Sequence, residues 1–270
     1  MSRIQLVLID VDGTLLGPSG VPECAWEAAQ QARQAGLHLS LCTGRPGRGF
    51  ALEYAKRLDP QGFHVFESGA VVVSGQGETV RASGLPEKAY ARLLELSRRH
   101  RIPFEVYTAQ GGFYRESSHP DLHQHEAMLG FAAEELPLDR VPGEVIRVQY
   151  VWRPSPAWEA VRQGILEIPG IELHEATSPG MPGVGFSSVT AAGVSKRSAA
   201  EWVARRLGLS LAQAAMVGDG ENDLELIEAA GLGIAMGNAP EKVRRTARRV
   251  VKRVEECGLA EALALAWGLK

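Results

Sequence analysis

The sequence predicts an α/β fold: a doubly wound, mainly parallel sheet with an α+β unit inserted into it. Three observations carry this expectation. Strand-like apolar runs alternate with helical stretches at the start of the chain, the same alternation returns near its end, and the pattern between them is different. Residues 4–9 are a nearly continuous apolar run ended by acids and glycine, as in a strand covered on both faces. A helical stretch over 22–35 is stopped by Gly36, and a strand over 37–42, a helix over 46–58 and a strand over 64–66 follow. This βαβαβ order predicts parallel strands, the third included, joined by right-handed crossovers. Near the end, a helix over 195–207, a strand over 214–217, a helix over 224–230 and a strand over 233–236 read as the rest of that sheet.

Between these halves come a helix over 86–100, strands over 104–108, 112–116 and 145–152, a helix over 156–167, and strands over 171–175 and 183–189. Strands joined by short loops and mixed with helices predict a separate α+β unit. The expected domains are a core of residues 1–82 and 191–270 and an inserted unit of residues 83–190.

The chain has 270 residues, 45% of them hydrophobic, enough to bury a substantial core. A formal net charge of -3 gives no general attraction to nucleic acid or to an anionic membrane, so neither partner is expected. The basic residues Arg244, Arg245, Arg248, Arg249, Lys252 and Arg253 are read as a solvated helix face. Cys24, Cys42 and Cys257 are odd in number and lack metal-type spacing, which predicts no disulfide framework and fits a reducing, cytoplasmic setting. The first apolar run is too short to span a bilayer. His119, His123 and His125 are read as exposed and metal-free, and Cys42 as a small apolar filler. Residues 44–49 lack the spacing and lysine of a phosphate-binding P-loop and are read as a turn and helix start.

Asp10 and Asp12 stand at the carboxyl end of the first strand, where open α/β sheets place their ligands, and point to one side of extended chain. By itself Asp10-Val-Asp12-Gly13 could equally be a turn. Two other strand ends carry Thr43-Gly44-Arg45 and Gly218-Asp219-Gly220-Glu221-Asn222-Asp223, and Gly193-Val-Ser-Lys196 supplies a lysine at a helix start. Two carboxylate clusters on one rim call for a cation, and oxygen-only ligands call for a hard one, Mg²⁺ above all. Mg²⁺ shares its coordination readily with phosphate oxygens, so a phosphorylated substrate is expected.

With DVDGT at Asp10, TGR at Thr43, GVSK ending at Lys196 and GDGEND around Asp219, the chain resembles the haloacid dehalogenase (HAD) superfamily, specifically its Cof-type phosphatases with a type IIB cap. The resemblance implies a HAD-like Rossmannoid core with the inserted unit as a substrate-specificity cap. It implies that Asp10 is the nucleophile of an aspartyl-phosphate mechanism and Asp12 the general acid and base. Mg²⁺ would be held by the Asp10 carboxylate, the Asp12 carbonyl and Asp219, with Asp223 and Asn222 as outer ligands or orienters. Thr43, Gly44 and Lys196 would hold the phosphoryl group, with Arg45 and Asn222 completing the substrate contacts. The implied activity is Mg²⁺-dependent hydrolysis of a small phosphorylated metabolite, a sugar phosphate, by a monomer or homodimer. The alternatives are a phosphomannomutase-like phosphotransferase and an idle phospholigand-binding module. Tyr107, Tyr114, Arg147 and Arg153 are the candidate selectors in the cap. The chain departs from the family at Glu67-Ser68-Gly69-Ala70, where Asn-Gly-Ala is usual, and at residues 253–259.

Overall fold

The apolar run that opens the chain becomes a strand without one exposed side chain, Leu6, Val7, Leu8 and Ile9 all being fully buried. The computed structural model describes residues 3–177 and 180–268. Along the chain these are β1 (Leu6–Ile9), α1 (Glu23–Gln34), β2 (His38–Leu41), α2 (Gly49–Leu58), β3 (Phe63–Phe66), β4 (Val71–Ser74), β5 (Thr79–Ala82), α3 (Glu87–His100), β6 (Phe104–Thr108), β7 (Phe113–Arg115), α4 (Pro120–Leu129) and β8 (Glu134–Glu135). Then follow β9 (Val145–Trp152), α5 (Pro156–Leu166), β10 (Ile171–Thr177), β11 (Gly185–Ala191), α6 (Lys196–Arg206), β12 (Ala214–Gly218), α7 (Leu224–Ala229), β13 (Leu232–Ala235), α8 (Glu241–Thr246), β14 (Arg249–Val250) and α9 (Gly258–Trp267). The chain divides into two compact units, residues 1–80 with 195–270, and residues 81–194.

In the first unit a parallel sheet has the order β14-β13-β12-β1-β2. Alternate side chains of β1 face opposite layers, and Leu6 and Leu8 pack with Ala199, Val203, Met216, Leu226 and Ile227 from α6, β12 and α7. On the register, Ile9 lies beside Val217 on one side and Leu41 on the other, so the carboxyl ends of β12, β1 and β2 are neighbours.

Contrary to expectation, β3 does not extend this sheet. It pairs antiparallel with β4 in a three-stranded sheet, β3-β4-β5, and touches the parallel sheet through the isolated bridge of Cys42 with Val65. Side chains explain the break: the Leu39 amide donates to Asp59 Oδ2 at 3.2 Å and the Leu41 amide to His64 Nδ1 at 3.1 Å, so the free edge of β2 is already engaged.

The second unit is a six-stranded sheet, β10-β11-β9-β6-β7-β8, covered on one face by α3 and α5 through Leu93, Leu96, Trp158 and Val161. Its α4 was not expected. His119 caps it by accepting from the Asp121 amide at 3.2 Å, and Pro120 sits in its first turn. The reading of three exposed histidines is corrected accordingly: His125 is buried, its Nδ1 2.7 Å from Glu105 Oε2.

Two more expectations change. Cys24 in the first turn of α1 and Cys257 before α9 form a disulfide, with Cα atoms 6.1 Å apart. Their separation of 233 positions hides a proximity that exists only because α1 packs on α9. Cys42 is free and buried, as a filler would be, and burial pushes its thiol up to about 12. The basic residues 244–253 are exposed but do not form one helix face, since they run from α8 through the edge strand β14 into a loop. Among the described residues no helix is long and apolar enough to cross a membrane.

Candidate active site

Asp10 is fixed where β1 ends, its amide donating to the Val217 carbonyl at 3.0 Å. The chain then turns tightly, the Val11 carbonyl accepting from the Leu15 and Leu16 amides at 3.0 and 2.7 Å. Gly13 lies in that turn with φ of 76°, and a Cβ there would overlap the Asp219 carboxylate. Both the backbone and the close approach therefore require glycine. At the end of β12, Asp219 follows Gly218, and the Gly220 amide donates to Asp223 Oδ2 at 3.1 Å.

Lys196 enters from α6. Ser195 caps that helix, accepting from the Ser198 amide at 3.1 Å, while Ser198 Oγ takes the Ser195 amide at 3.1 Å. The lysine therefore stands in the first turn with a fixed direction. Its Nζ lies 2.6 Å from Asp10 Oδ1 and 2.6 Å from Asp223 Oδ1, and all three side chains are buried.

Asp10, Asp219 and Asp223 bring one carboxylate oxygen each within 4.8 Å of one another. Three acids against one ammonium leave negative charge in a poorly solvated place. Burial pushes Asp10 up to about 8, Lys196 opposing and Asp223 assisting that rise. Asp219 rises to about 6, from burial and then from Asp223. For Lys196 burial favours the neutral form, but Asp10 and Asp223 outweigh it and hold the ammonium charged. Convergent hard oxygen donors with excess negative charge fit a divalent cation of the Mg²⁺ kind.

The Asp12 side chain is not among the three converging carboxylates. It is clasped in a bidentate pair by Arg45, Nε to Oδ2 at 2.7 Å and Nη2 to Oδ1 at 2.6 Å, and the same guanidinium lies over the Phe50 ring, 4.6 Å from its centroid. Thr43 is buried beside it, its hydroxyl oxygen accepting from the Arg45 amide at 3.1 Å and keeping its own hydrogen for donation. Gly44 lies against Ser68, whose Oγ would be 3.2 Å from an added Cβ. Asn222 is exposed and folds over Gly220. Among the cap candidates, Tyr107 and Arg147 share a face, the guanidinium 4.0 Å from the ring centroid. Tyr114 packs in the apolar cluster with Val106 and Val148, and Arg153 pairs with Asp121 at 2.7 Å.

Sequence reasoning missed two parts of this site. The turn at 67–69, with Glu67 and Ser68 at φ of 52° and 55°, returns its amides to the Arg45 and Thr43 carbonyls at 3.0 and 3.1 Å. Asn238, just past β13, donates to Asp219; it stands at a fourth parallel strand end, and the rule that located the other three would have located it.

The chain matches the haloacid dehalogenase-like hydrolase family over residues 7–263. It belongs to that family. Phosphoglycolate phosphatase of Pyrobaculum neutrophilum is 28% identical over 265 residues, covering 97% of this chain and 95% of the relative. The 5-amino-6-(5-phospho-D-ribitylamino)uracil phosphatase of Bacillus subtilis is 26% identical over 262 residues, covering 96% and 94%. The solved HAD subclass IIB sugar phosphatase BT4131 superposes with a TM-score of 0.80 at 22% identity, covering 98% of this HAD hydrolase and 100% of that chain. That likeness shows the fold: a HAD core with the subclass IIB insertion.

Proposed function

We propose that this phosphoric monoester hydrolase is a Mg²⁺-dependent phosphatase of small phosphorylated metabolites, with a sugar phosphate as substrate and Asp10 as nucleophile. The observation that carries the reading is the buried bridge from Lys196 Nζ to Asp10 and Asp223, 2.6 Å each, beside Asp219. A nucleophilic carboxylate needs its charge stabilised without its attacking oxygen being blocked, and a lysine on one oxygen does this.

Asp10, Asp219, Asp223 and the Asp12 carbonyl would hold Mg²⁺, which when bound supplies positive charge to the phosphoryl oxygens and to these carboxylates. Lys196, whose ammonium already lies against Asp10, would add positive charge on the phosphoryl side. The Thr43 hydroxyl and Gly44 amide donate to phosphoryl oxygens. In the first step an Asp10 oxygen bonds to phosphorus as the ester P–O bond breaks, and Asp12 gives its proton to the leaving alkoxide. In the second, Asp12 takes a proton from water, whose oxygen attacks phosphorus and returns Asp10 as a carboxylate. The Arg45 pair holds Asp12 as a carboxylate, so for Asp12 to carry the proton one of its oxygens leaves that pair while the other keeps it aimed.

One observation supports a small substrate, and a second bears on hydroxyl groups. Both relatives above are phosphatases named for small phosphorylated molecules. The second unit carries Glu105, Tyr107, Arg147 and Gln149 on one sheet face, polar groups of the kind that meet sugar hydroxyls; all four are buried, and Glu105 pairs with His125, so reaching a substrate would require them to be uncovered. Phosphate release from a panel of phosphorylated sugars, nucleotides and small acids tests the reading. The wild type with Mg²⁺ should turn over sugar phosphates best, chelation should abolish release, and Asp10→Asn should lose at least about 10³-fold. Full activity of Asp10→Asn, or undiminished turnover after chelation, contradicts it.

A further inference from the structure

Asn238 belongs to none of the four motifs, yet its amide is fully engaged at the site. Nδ2 donates to the Gly13 carbonyl at 2.8 Å and to Asp219 Oδ2 at 3.1 Å, and Oδ1 accepts from the Val254 amide at 3.1 Å. Both N–H hydrogens and the carbonyl are thus committed in one plane. Thr14 Oγ1 donates to the other oxygen, Asp219 Oδ1, at 3.4 Å. Asp219 is therefore oriented through both oxygens by neutral donors, and the turn that carries Gly13 is tied to it by the same amide.

The far end of this link is braced. Val254 is buried and sits against Gly17, where an added Cβ would lie 3.3 Å from Val254 Cγ1. It opens a turn in which the Glu256 and Gly258 amides both donate to the Arg253 carbonyl at 3.0 Å. That turn ends at Cys257, whose φ of 62° is left-handed, a conformation unfavourable for a non-glycine residue. Its sulfur is bonded to Cys24, in the first turn of the helix that follows the Asp10–Gly20 loop. The loop, α1, the disulfide, the 254–257 turn and Asn238 form a closed circuit that returns to Gly13.

We propose that Asn238 is a positioning residue that holds Asp219 in place for a divalent cation, and that the Cys24–Cys257 disulfide steadies the turn from which Asn238 works, so that cation affinity responds to thiol redox state. The inference rests on the cation site read above. Reduction by a dithiol transfers two electrons and two protons to the Cys24–Cys257 bond, yielding two thiols and the oxidised, cyclic disulfide of the reductant. The hydrogen bonds of Asn238 are not themselves broken. The turn that carries Val254 gains freedom, and the orientation of Asp219 loosens with it.

Mn²⁺ titrated into metal-free protein, with free Mn²⁺ read by electron paramagnetic resonance, tests both parts. The samples are wild type and Asn238→Ala, each oxidised and each reduced with dithiothreitol, with circular dichroism to check folding. Asn238→Ala should weaken Mn²⁺ binding by about 10- to 100-fold, the usual effect of removing a partner of a metal ligand. Reduction should weaken wild-type binding severalfold and leave Asn238→Ala unchanged, because the link through which the brace acts is already cut. Wild-type affinity in Asn238→Ala overturns the positioning role. Equal losses on reduction in both proteins, no loss in the wild type, or three free thiols in the oxidised unfolded chain overturn the brace. Should Asn238→Ala not fold, Asn238→Ser, too short to span Asp219 and Val254 together, is read in the same way. An oxidised wild type that binds no Mn²⁺ overturns the cation reading and this inference with it, whereas binding that ignores residue 238 overturns the inference alone.

Discussion

Asp10 and His64 are both buried titratable groups, and they tilt the stability of the metal-free protein in opposite directions. Burial lifts Asp10 from 3.8 to about 8, so between those values the folded chain holds a proton that the unfolded chain releases. Its stabilising contribution is whole at low pH and is lost as pH rises through about 8. His64, whose Nδ1 and Nε2 meet the Leu41 amide and the Asp59 carbonyl, is lowered by burial from 6.5 to about 4, so stability is lost as pH falls through that interval. Asp219 completes its change near 6. From about pH 6.5 to 8 the Asp10 slope stands alone. Denaturant unfolding of metal-free protein should show stability falling there by up to about 1.4 kcal/mol per pH unit, and saturating Mg²⁺ should flatten the slope. A flat metal-free profile in that window contradicts the assignment. Asp10, Thr43, Lys196 and Asp219 were legible because each sits at a strand end or helix start with a recognisable neighbour pattern. The Glu105–His125 pair was not, because it joins a strand to a helix that the sequence did not reveal.

At the scale of elements, β1, β2, β12 and β13 could be read from apolar runs, and their parallel order follows from the helices between them. The place of β3 could not, since Asp59 and His64 settle it by taking the β2 edge with side chains. The α4 helix was hidden by Ser117-Ser118-His119-Pro120, which reads as loop although His119 and Pro120 in fact begin the helix. The turn after β1 offers a direct test of element geometry. Gly13→Ala meets the Asp219 carboxylate as well as an unfavourable φ, while Gly208→Ala, at φ of 72°, meets open space. Both should lose about 1–2 kcal/mol of stability from the backbone alone. Gly13→Ala should in addition lower phosphate release at least about tenfold, and Gly208→Ala should leave it unchanged. Equal turnover in the two variants contradicts the close packing of the turn on Asp219.

For the whole molecule, the first unit is assembled from two stretches of chain separated by the second, and all of the site residues in the four motifs lie in the first. The insertion was legible as a change in the alternation of strands and helices. The disulfide that joins the two stretches was not, because sequence distance conceals which helices pack and an odd cysteine count argued against any pair. The same distance separates Asp10 from Lys196 and Asp219, which only the parallel sheet and the capped α6 bring together. The function proposed for that assembly is to pass a phosphoryl group through Asp10. An acid-quenched single turnover with enzyme in excess over a phosphorus-labelled sugar phosphate, followed by peptide mapping, reads that step directly. Transient label is expected on the peptide bearing Asp10 in the wild type and none in Asp10→Asn; label on another residue, or wild-type product formation by Asp10→Asn, would contradict Asp10 as nucleophile.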